Sequence, residues 1–198
     1  MTPQARVVGV LALQGGFARH QQALVEAGLT TRLVRSAADL GGLWGLVLPG
    51  GESTTQLQLV ARHGLEEPLR DFVRSGAPVL ATCAGLILAA AAVEGPAQAS
   101  YAFLDVAVAR NGWGRQVDSF EAIADDGLTP LVFVRAPRIT RVGPGVRVLA
   151  TLNQEPVMVR QGNVVGTTFH PELTELAGRA LDTPAGARSL HHAVFASA

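Results

Sequence analysis

The single cysteine of the chain, Cys83, is the residue with the clearest capacity for chemistry. It lies between an apolar run at 78–81, which predicts a buried strand, and a run of good helix formers at 86–92. A sharp strand-to-helix turn lifts its central side chain off the sheet and points the first helical N–H groups towards it. Those groups and the helix dipole favour the nucleophilic thiolate. We interpret Cys83 as a nucleophile, although a small packed thiol is the commoner role for an isolated cysteine.

A base for this nucleophile is best supplied by His170, which ends an apolar strand predicted over 164–169. Glu172 follows two residues later, and residues two apart in an extended segment share a side. Glu172 could then accept the Nδ1 proton of His170 and fix its tautomer. Taken alone, His-Pro-Glu would be explained by a solvated turn. The presence of Cys83 at a strand-to-helix turn favours a Cys–His–Glu triad instead, because the members of a triad need not be close in sequence. The other four histidines are predicted to face solvent: His20, His63, His191 and His192.

Acyl transfer also needs N–H donors for a tetrahedral oxyanion. The segment 49–51, Pro-Gly-Gly, follows a predicted buried strand, and glycine lets the backbone approach a ligand closely. The N–H groups of Gly51 and Ala84 are our candidate oxyanion hole, with an ordinary turn as the alternative for Gly-Gly. Arg110 and Arg135 each follow a strand pattern, so either could clamp a carboxylate or lie in solvent.

A mostly parallel α/β sheet is predicted to position these residues. Near-continuous apolar runs at 7–13 and 43–48 are typical of strands buried on both faces. Helices are predicted over 17–27, with Ala18, Leu24 and Val25 facing inward, and over 53–62 and 66–76. Because strands and helices alternate as far as Cys83, the sheet should carry helices on both faces.

Short strands dominate the second half of the sequence and suggest additions to the sheet edge together with a small antiparallel excursion. The region 176–187 is predicted to be a loop or broken helix, and 189–195 a closing helix. No linker composition divides the chain, so we expect one domain over 1–198. The predicted strands cover 103–109, 117–122, 131–134, 146–152, 157–159 and 164–169.

The composition excludes several classes of protein. The 198 residues are 48% hydrophobic and 16% charged, enough for a substantial core, and 16 basic residues balance 16 acidic ones. There is no basic stripe to bind nucleic acid and no apolar run long enough for a membrane span. One cysteine excludes an internal disulfide and a multi-cysteine metal site. Without a secretory h-region near the N-terminus, the expected location is the cytoplasm.

Six stretches of the sequence resemble class I glutamine amidotransferases and, more narrowly, the glutaminase subunits of pyridoxal 5′-phosphate synthases. They occur in the family's order and cover most of the chain from Val7 to Thr174. Ala81, two residues before the cysteine, stands where this family usually has glycine. The stretches are Leu-Ala-Leu-Gln-Gly (11–15), Pro-Gly-Gly-Glu-Ser-Thr-Thr (49–55), Thr-Cys-Ala-Gly-Leu (82–86), Arg-Asn-Gly-Trp-Gly-Arg-Gln-Val-Asp-Ser-Phe-Glu (110–121), Phe-Val-Arg-Ala-Pro (133–137) and Phe-His-Pro-Glu-Leu-Thr (169–174).

This resemblance implies a three-layer glutamine amidotransferase fold and specific roles for the motif residues. Cys83 would be the nucleophile, His170 the acid and base, and Glu172 its orienting partner. Gln14 matches a position near the partner interface and the oxyanion region. The positions that match the family's glutamine-binding residues are Gly50, Gly51, Glu52, Arg110, Val134 and Arg135.

The function implied by the resemblance is hydrolysis of L-glutamine to L-glutamate and ammonia through a thioester. The ammonia would pass to a (β/α)₈ synthase subunit, which combines it with ribose 5-phosphate and glyceraldehyde 3-phosphate to make pyridoxal 5′-phosphate. No cofactor, metal, nucleic acid or membrane is implied. Two alternatives remain at this point: a glutaminase subunit of a different amidotransferase, and a non-catalytic subunit that binds glutamine for regulation. A cysteine peptidase is a distant third.

Overall fold

The computed structural model describes residues 6–113, 119–176 and 189–195. The predicted loop or broken helix at 176–187 lies almost wholly outside these ranges, as does the start of the strand predicted at 117–122. In chain order the elements are β1 Val7–Leu11, α1 Phe17–Glu26, β2 Thr30–Val34, a 3₁₀ helix Ala37–Leu40, β3 Gly45–Leu48, α2 Ser53–Arg62, α3 Glu66–Arg74, β4 Val79–Thr82, α4 Ala84–Ala89, β5 Ala90–Glu94, β6 Leu104–Ala109, β7 Phe120–Ile123, β8 Pro130–Phe133, β9 Arg138–Val142, β10 Arg147–Leu152, β11 Glu155–Gln161, β12 Val164–Thr167, α5 Pro171–Leu176 and α6 Leu190–Phe195.

The central sheet has seven strands in the order β10-β11-β12-β4-β3-β1-β2. The five strands from β12 to β2 are parallel to one another, whereas β11 pairs antiparallel with both β12 and β10 at one edge. Two smaller sheets accompany it, β5-β6-β9 and the hairpin β7-β8. The predicted mostly parallel α/β sheet with added antiparallel strands is therefore confirmed.

Helices cover both faces of this sheet because its central strands are apolar at nearly every position. Within β3, Leu46 and Leu48 pack on the side of α2, α3 and α4, whereas Val47 packs on the side of α1 and α6. Strand β4 alternates in the same way, with Leu80 on the side of α1 and α6. Side chains of a strand point alternately to the two faces, so an uninterrupted apolar run fills two cores.

The buried face of α1 differs from the prediction. Leu24 is buried as expected, but Ala18 is exposed and Val25 is 58% exposed. His20, predicted to face solvent, is completely buried. The inward face is centred on His20, Ala23 and Leu24, which lie three and four residues apart and so share one side of a helix.

One other local prediction was wrong, and one strand was missed. The helix predicted over 86–92 ends at Ala89, because Ala90 adopts extended angles and begins β5, which pairs with β6. Alanine is the best helix former, but intrinsic propensity is worth less than about 1 kcal/mol per residue, and the tertiary pairing outweighs it. The strand β9, Arg138–Val142, was not anticipated.

None of the helices in the described ranges has the length and apolar character needed to cross a bilayer.

Candidate active site

The carboxyl ends of the parallel strands bring the predicted site residues to one edge of the sheet. Thr82 at the end of β4 pairs with Thr167 at the end of β12, and Leu48 of β3 pairs with Ala81. Cys83, His170 and the segment 49–51 follow these three strands. Ligands of open α/β sheets bind outside the carboxyl ends of the strands, so this edge is the expected position of a site.

Cys83 occupies the turn between β4 and α4 in a strained conformation. Its φ of 48° and ψ of −105° are rare for a residue with a side chain. Its N–H donates to the carbonyl of Thr167 at 2.9 Å, which fixes the turn to β12. The side chain is 5% exposed, and Sγ lies 3.9 Å from the carbonyl oxygen of Val134. Backbone strain of this kind clusters at functional sites, and the predicted strand-to-helix turn is present.

His170 follows β12 and is held at both its backbone and its ring. Its N–H donates to the carbonyl of Val132 at 2.8 Å, and its Nδ1 lies 2.7 Å from Glu172 Oε1. Glu172 reaches the ring from the first turn of α5, not from the extended segment that the sequence suggested. Nδ1 therefore carries the proton that bonds to the carboxylate. Nε2 is buried without a hydrogen-bond partner in the described part of the chain.

Gly50 shows how closely the cysteine and the histidine converge. A Cβ built on Gly50 would collide with His170 Cε1 and lie 3.3 Å from Cys83 Cβ. Both side chains thus approach the same point of the backbone, which a larger residue would fill. The predicted turn at 49–51 is consequently part of the site, because glycine alone allows this approach.

The ionisation of the site follows from burial and charge. Burial lowers the pKa of His170, but the Cys83 side chain and the Glu172 carboxylate outweigh it and raise that pKa to about 10. Burial raises the pKa of Glu172, whereas His20 and His170 lower it, with a net decrease to about 2. Burial also lowers the pKa of His20, against the attraction of Glu172, to about 3. At pH 7 His20 is neutral, so the positive charge beside the Glu172 carboxylate is that of His170.

A cavity of about 170 Å³ opens beside Cys83 and His170. All six predicted glutamine-binding residues line it, and Arg135 Nη2 forms an ion pair with Glu52 Oε1 at 3.4 Å. Sequence reasoning did not identify four further lining residues, although each lies next to, or within a few residues of, a named motif residue. These four are Gly16, Ser53, Ile87 and Asn111.

The remaining predicted residues lie around this cavity. Gln14 supports the turn after β3, because its Oε1 accepts the N–H of Glu52 at 2.9 Å. Gly51 lines the cavity, and Ala84 begins α4 directly after Cys83. The role of the Gly51 and Ala84 N–H groups as an oxyanion hole stays a prediction.

Two histidines that the sequence assigned to solvent form a buried pair behind the site. His20 and His191 are both fully buried, and His20 Nδ1 lies 2.8 Å from His191 Nε2. On its other side, His20 Nε2 lies 3.1 Å from Thr82 Oγ1 and 3.3 Å from Glu172 Oε2. The only sequence signal for His20 was its helical spacing from Ala23 and Leu24. The other two histidines are less buried, His63 being exposed and His192 half-buried.

Comparisons with known proteins identify the family and agree with this fold. Residues 10–183 match the model of the SNO glutamine amidotransferase family, and the chain belongs to that family. It is 52% identical over 177 residues to a protein of Deinococcus radiodurans named pyridoxal 5′-phosphate synthase subunit PdxT, covering 85% of this chain and 90% of that one. A protein of the same name from Thermus thermophilus is 51% identical over 174 residues, covering 85% and 91%.

Solved structures give the same result for the fold. A crystal structure described as a glutamine amidotransferase superposes with a TM-score of 0.79 at 46% identity, covering 84% of this chain and 91% of that one. Another glutamine amidotransferase, from Thermotoga maritima, superposes with a TM-score of 0.58 at 14% identity, covering 85% and 76%, and shows the shared fold alone.

Proposed function

We propose that this chain is a glutaminase that hydrolyses L-glutamine to L-glutamate and ammonia, with Cys83 as the nucleophile. The observation that carries the proposal is the convergence of Cys83 and His170 at Gly50, with Glu172 2.7 Å from the far side of the imidazole. Membership of a glutamine amidotransferase family supports the same reaction. Residues 1–198 form one glutaminase domain in this proposal.

The reaction begins with Cys83 as a thiolate and His170 as an imidazolium. The sulfur attacks the side-chain amide carbon of glutamine, forming a C–S bond and a tetrahedral oxyanion, which the Gly51 and Ala84 N–H groups hold. His170 Nε2 protonates the amide nitrogen, the C–N bond breaks, and ammonia leaves behind a thioester. Neutral His170 then takes a proton from water, whose oxygen attacks the thioester. Collapse of this second intermediate breaks the C–S bond and restores the thiolate, while His170 keeps the proton taken from water. The new carboxyl group loses its remaining proton to solvent and leaves as glutamate.

The charged lining of the cavity suits the two ends of an amino acid. The guanidinium groups of Arg110 and Arg135 would bind the α-carboxylate, and the Glu52 carboxylate would bind the α-ammonium. The existing ion pair between Glu52 and Arg135 would be exchanged for these contacts. The side-chain amide of the substrate then points towards Cys83.

The partner in this proposal is a pyridoxal 5′-phosphate synthase subunit with a (β/α)₈ barrel. Relatives that are 52% and 51% identical carry the name of a subunit of that synthase. Ammonia is readily protonated in neutral water, and ammonium is not a nucleophile, so direct delivery to a docked synthase is chemically useful. Because the match extends over most of the length of these relatives, the expected partner is the same kind of subunit.

The first test measures ammonia release from glutamine by the chain alone and with the synthase subunit of the same organism. Cys83→Ala should abolish release, whereas His63→Asn, a change at an exposed histidine away from the site, should leave it unchanged. His170→Asn should lower the rate by roughly 10²- to 10⁴-fold, because proton transfer contributes about that much. Ammonia release by Cys83→Ala at the wild-type rate would exclude the proposed nucleophile, and glutamine binding without release would favour a regulatory subunit.

A further inference from the structure

The buried histidine pair, His20 and His191, connects three elements to the carboxylate of the proposed triad. His20 lies on α1 and His191 on α6, and their rings meet at 2.8 Å. His20 Nε2 also lies 3.1 Å from Thr82 Oγ1, at the residue that precedes Cys83. Burying an imidazole costs free energy unless its nitrogens have hydrogen-bond partners. Two fully buried imidazoles that bond to each other, where apolar side chains could fill the same space, therefore suggest a specific role.

The position of Glu172 determines which nitrogens of this pair carry protons. Its Oε1 accepts the Nδ1 proton of His170, and its Oε2 faces His20 Nε2 at 3.3 Å. A bare Nε2 lone pair would repel the carboxylate, so Nε2 carries the proton and donates it to Thr82 Oγ1. Glu172 Oε2 has no hydrogen-bond partner in the described part of the chain and lies 3.3 Å from this N–H group, which attracts it electrostatically. His20 Nδ1 is then an acceptor, and His191 Nε2 donates to it.

We propose that His20 and His191 are positioning residues that hold the Glu172 carboxylate in the orientation that His170 requires. His191 on α6 orients His20, His20 orients Glu172, and Glu172 orients the His170 ring beside Cys83. The proposal rests on the glutaminase function proposed above. Neither histidine lines the cavity beside Cys83, so neither is assigned to substrate binding or to proton transfer.

The pair performs this role only while His20 is neutral. The titratable groups that face it are Glu172 on α5, His191 on α6 and His170 just before α5. A charged His20 would compete with His170 for the carboxylate as a full ion-pair partner. The neutral N–H dipole 3.3 Å from Oε2 attracts that oxygen and leaves Oε1 to His170, because a dipole attracts a carboxylate less strongly than a charge does.

The test compares two substitutions at His20 in the complex with the synthase subunit. His20→Leu removes the N–H group, whereas His20→Gln keeps an amide N–H near the position of Nε2. His20→Leu should lower kcat on the order of 10- to 100-fold with little change in KM, because misplacing a catalytic group by about 1 Å costs rate rather than binding. The alkaline limb of the kcat/KM profile should move to lower pH, since Glu172 would no longer raise the pKa of His170 fully. His20→Gln should restore most of the lost kcat and return the alkaline limb most of the way to its wild-type position.

Leu24→Ala is the matched control, because Leu24 is equally buried on the same helix but packs only in the apolar core. It should lower the stability without moving the pH profile. A kcat and pH profile of His20→Leu equal to those of the wild type, or reproduced by Leu24→Ala, would overturn the positioning role. Wild-type complex that releases no ammonia would instead refute the proposed glutaminase function itself.

His191 gives a second route if His20→Leu does not fold. His191→Leu should lower kcat and shift the alkaline limb in the same direction, and His191→Gln should restore them. Combined with His20→Gln, His191→Leu should cost less than it does alone, because it acts through the ring of His20. Fully additive effects on kcat would contradict the proposed connection.

Discussion

At the scale of single residues, burial and charge drive two imidazoles of the same ordinary pKa in opposite directions. His170 lies between the Cys83 side chain and the Glu172 carboxylate, and its pKa is raised despite burial. His20 is fully buried, and its pKa is lowered to about 3 because the loss of solvation exceeds the attraction of Glu172. One ring is thus held charged and the other neutral at pH 7, as the proposed acid and the proposed positioning group require.

The neutral state of His20 predicts a stability cost in acid. The unfolded chain protonates this histidine below pH 6.5, whereas the folded chain does so only near pH 3, so its contribution is complete above pH 6.5 and is lost as the pH falls towards 3. The loss is about 1.4 kcal/mol per pH unit. Denaturant unfolding between pH 7 and pH 4 should therefore show the stability of the wild type approaching that of His20→Gln.

His63→Gln is the control for this measurement, because His63 is exposed. Its stability should run parallel to that of the wild type across the same pH range. Parallel curves for the wild type and His20→Gln would show that His20 does not titrate on unfolding.

Single residues also mark the limit of sequence reasoning. Cys83, His170 and Glu172 could be predicted as a triad because the proposed chemistry requires those residue types near strand ends, and the structure brings His170 and Glu172 within 2.7 Å. His20 and His191 could not, because a histidine on a helix is compatible with either solvent or core, and only tertiary partners decide. For His20, these partners are Thr82, Glu172 and His191, which are distant in sequence from α1.

At the scale of elements, the site depends on turns that follow parallel strands. The turn after β3 passes so close to His170 that Gly50 has no room for a side chain, and the turn after β4 holds Cys83 at a φ of 48°. Both turns could be predicted because each follows an apolar run of strand length, and such a run marks clearly where a strand buried on both faces ends. The pattern failed at β5, where alanines favour a helix but the pairing with β6 dictates a strand.

Gly50→Ala tests the importance of this close approach. A Cβ there would collide with the His170 ring, so the ring must leave its present position beside Cys83. We expect kcat/KM for glutamine to fall by roughly 100-fold, the cost of misplacing a catalytic group by about 1 Å. Gly41→Ala is the control, because its φ is −63° and its nearest neighbour to a new Cβ is a carbonyl oxygen at 3.4 Å. Wild-type kcat/KM in Gly50→Ala would contradict the described geometry.

At the scale of the whole molecule, parallel topology explains how residues far apart in sequence form one site. Strands β12, β4 and β3 are neighbours, so the segments that follow them meet at one edge although they are separated by up to about 120 residues in the sequence. The parallel part of the sheet could be predicted from alternating apolar elements. The order of the late strands could not, because short antiparallel strands carry little periodicity, and β9 with its exposed arginines has the pattern of a polar loop.

The most direct test of the account is alkylation by a chloroketone analogue of glutamine, followed by mass spectrometry and by assay of the residual ammonia release. We predict one adduct, on Cys83, whose formation is slowed by glutamine and whose extent matches the loss of activity in the complex with the synthase subunit. Full ammonia release from protein that is completely alkylated at Cys83 would contradict the account.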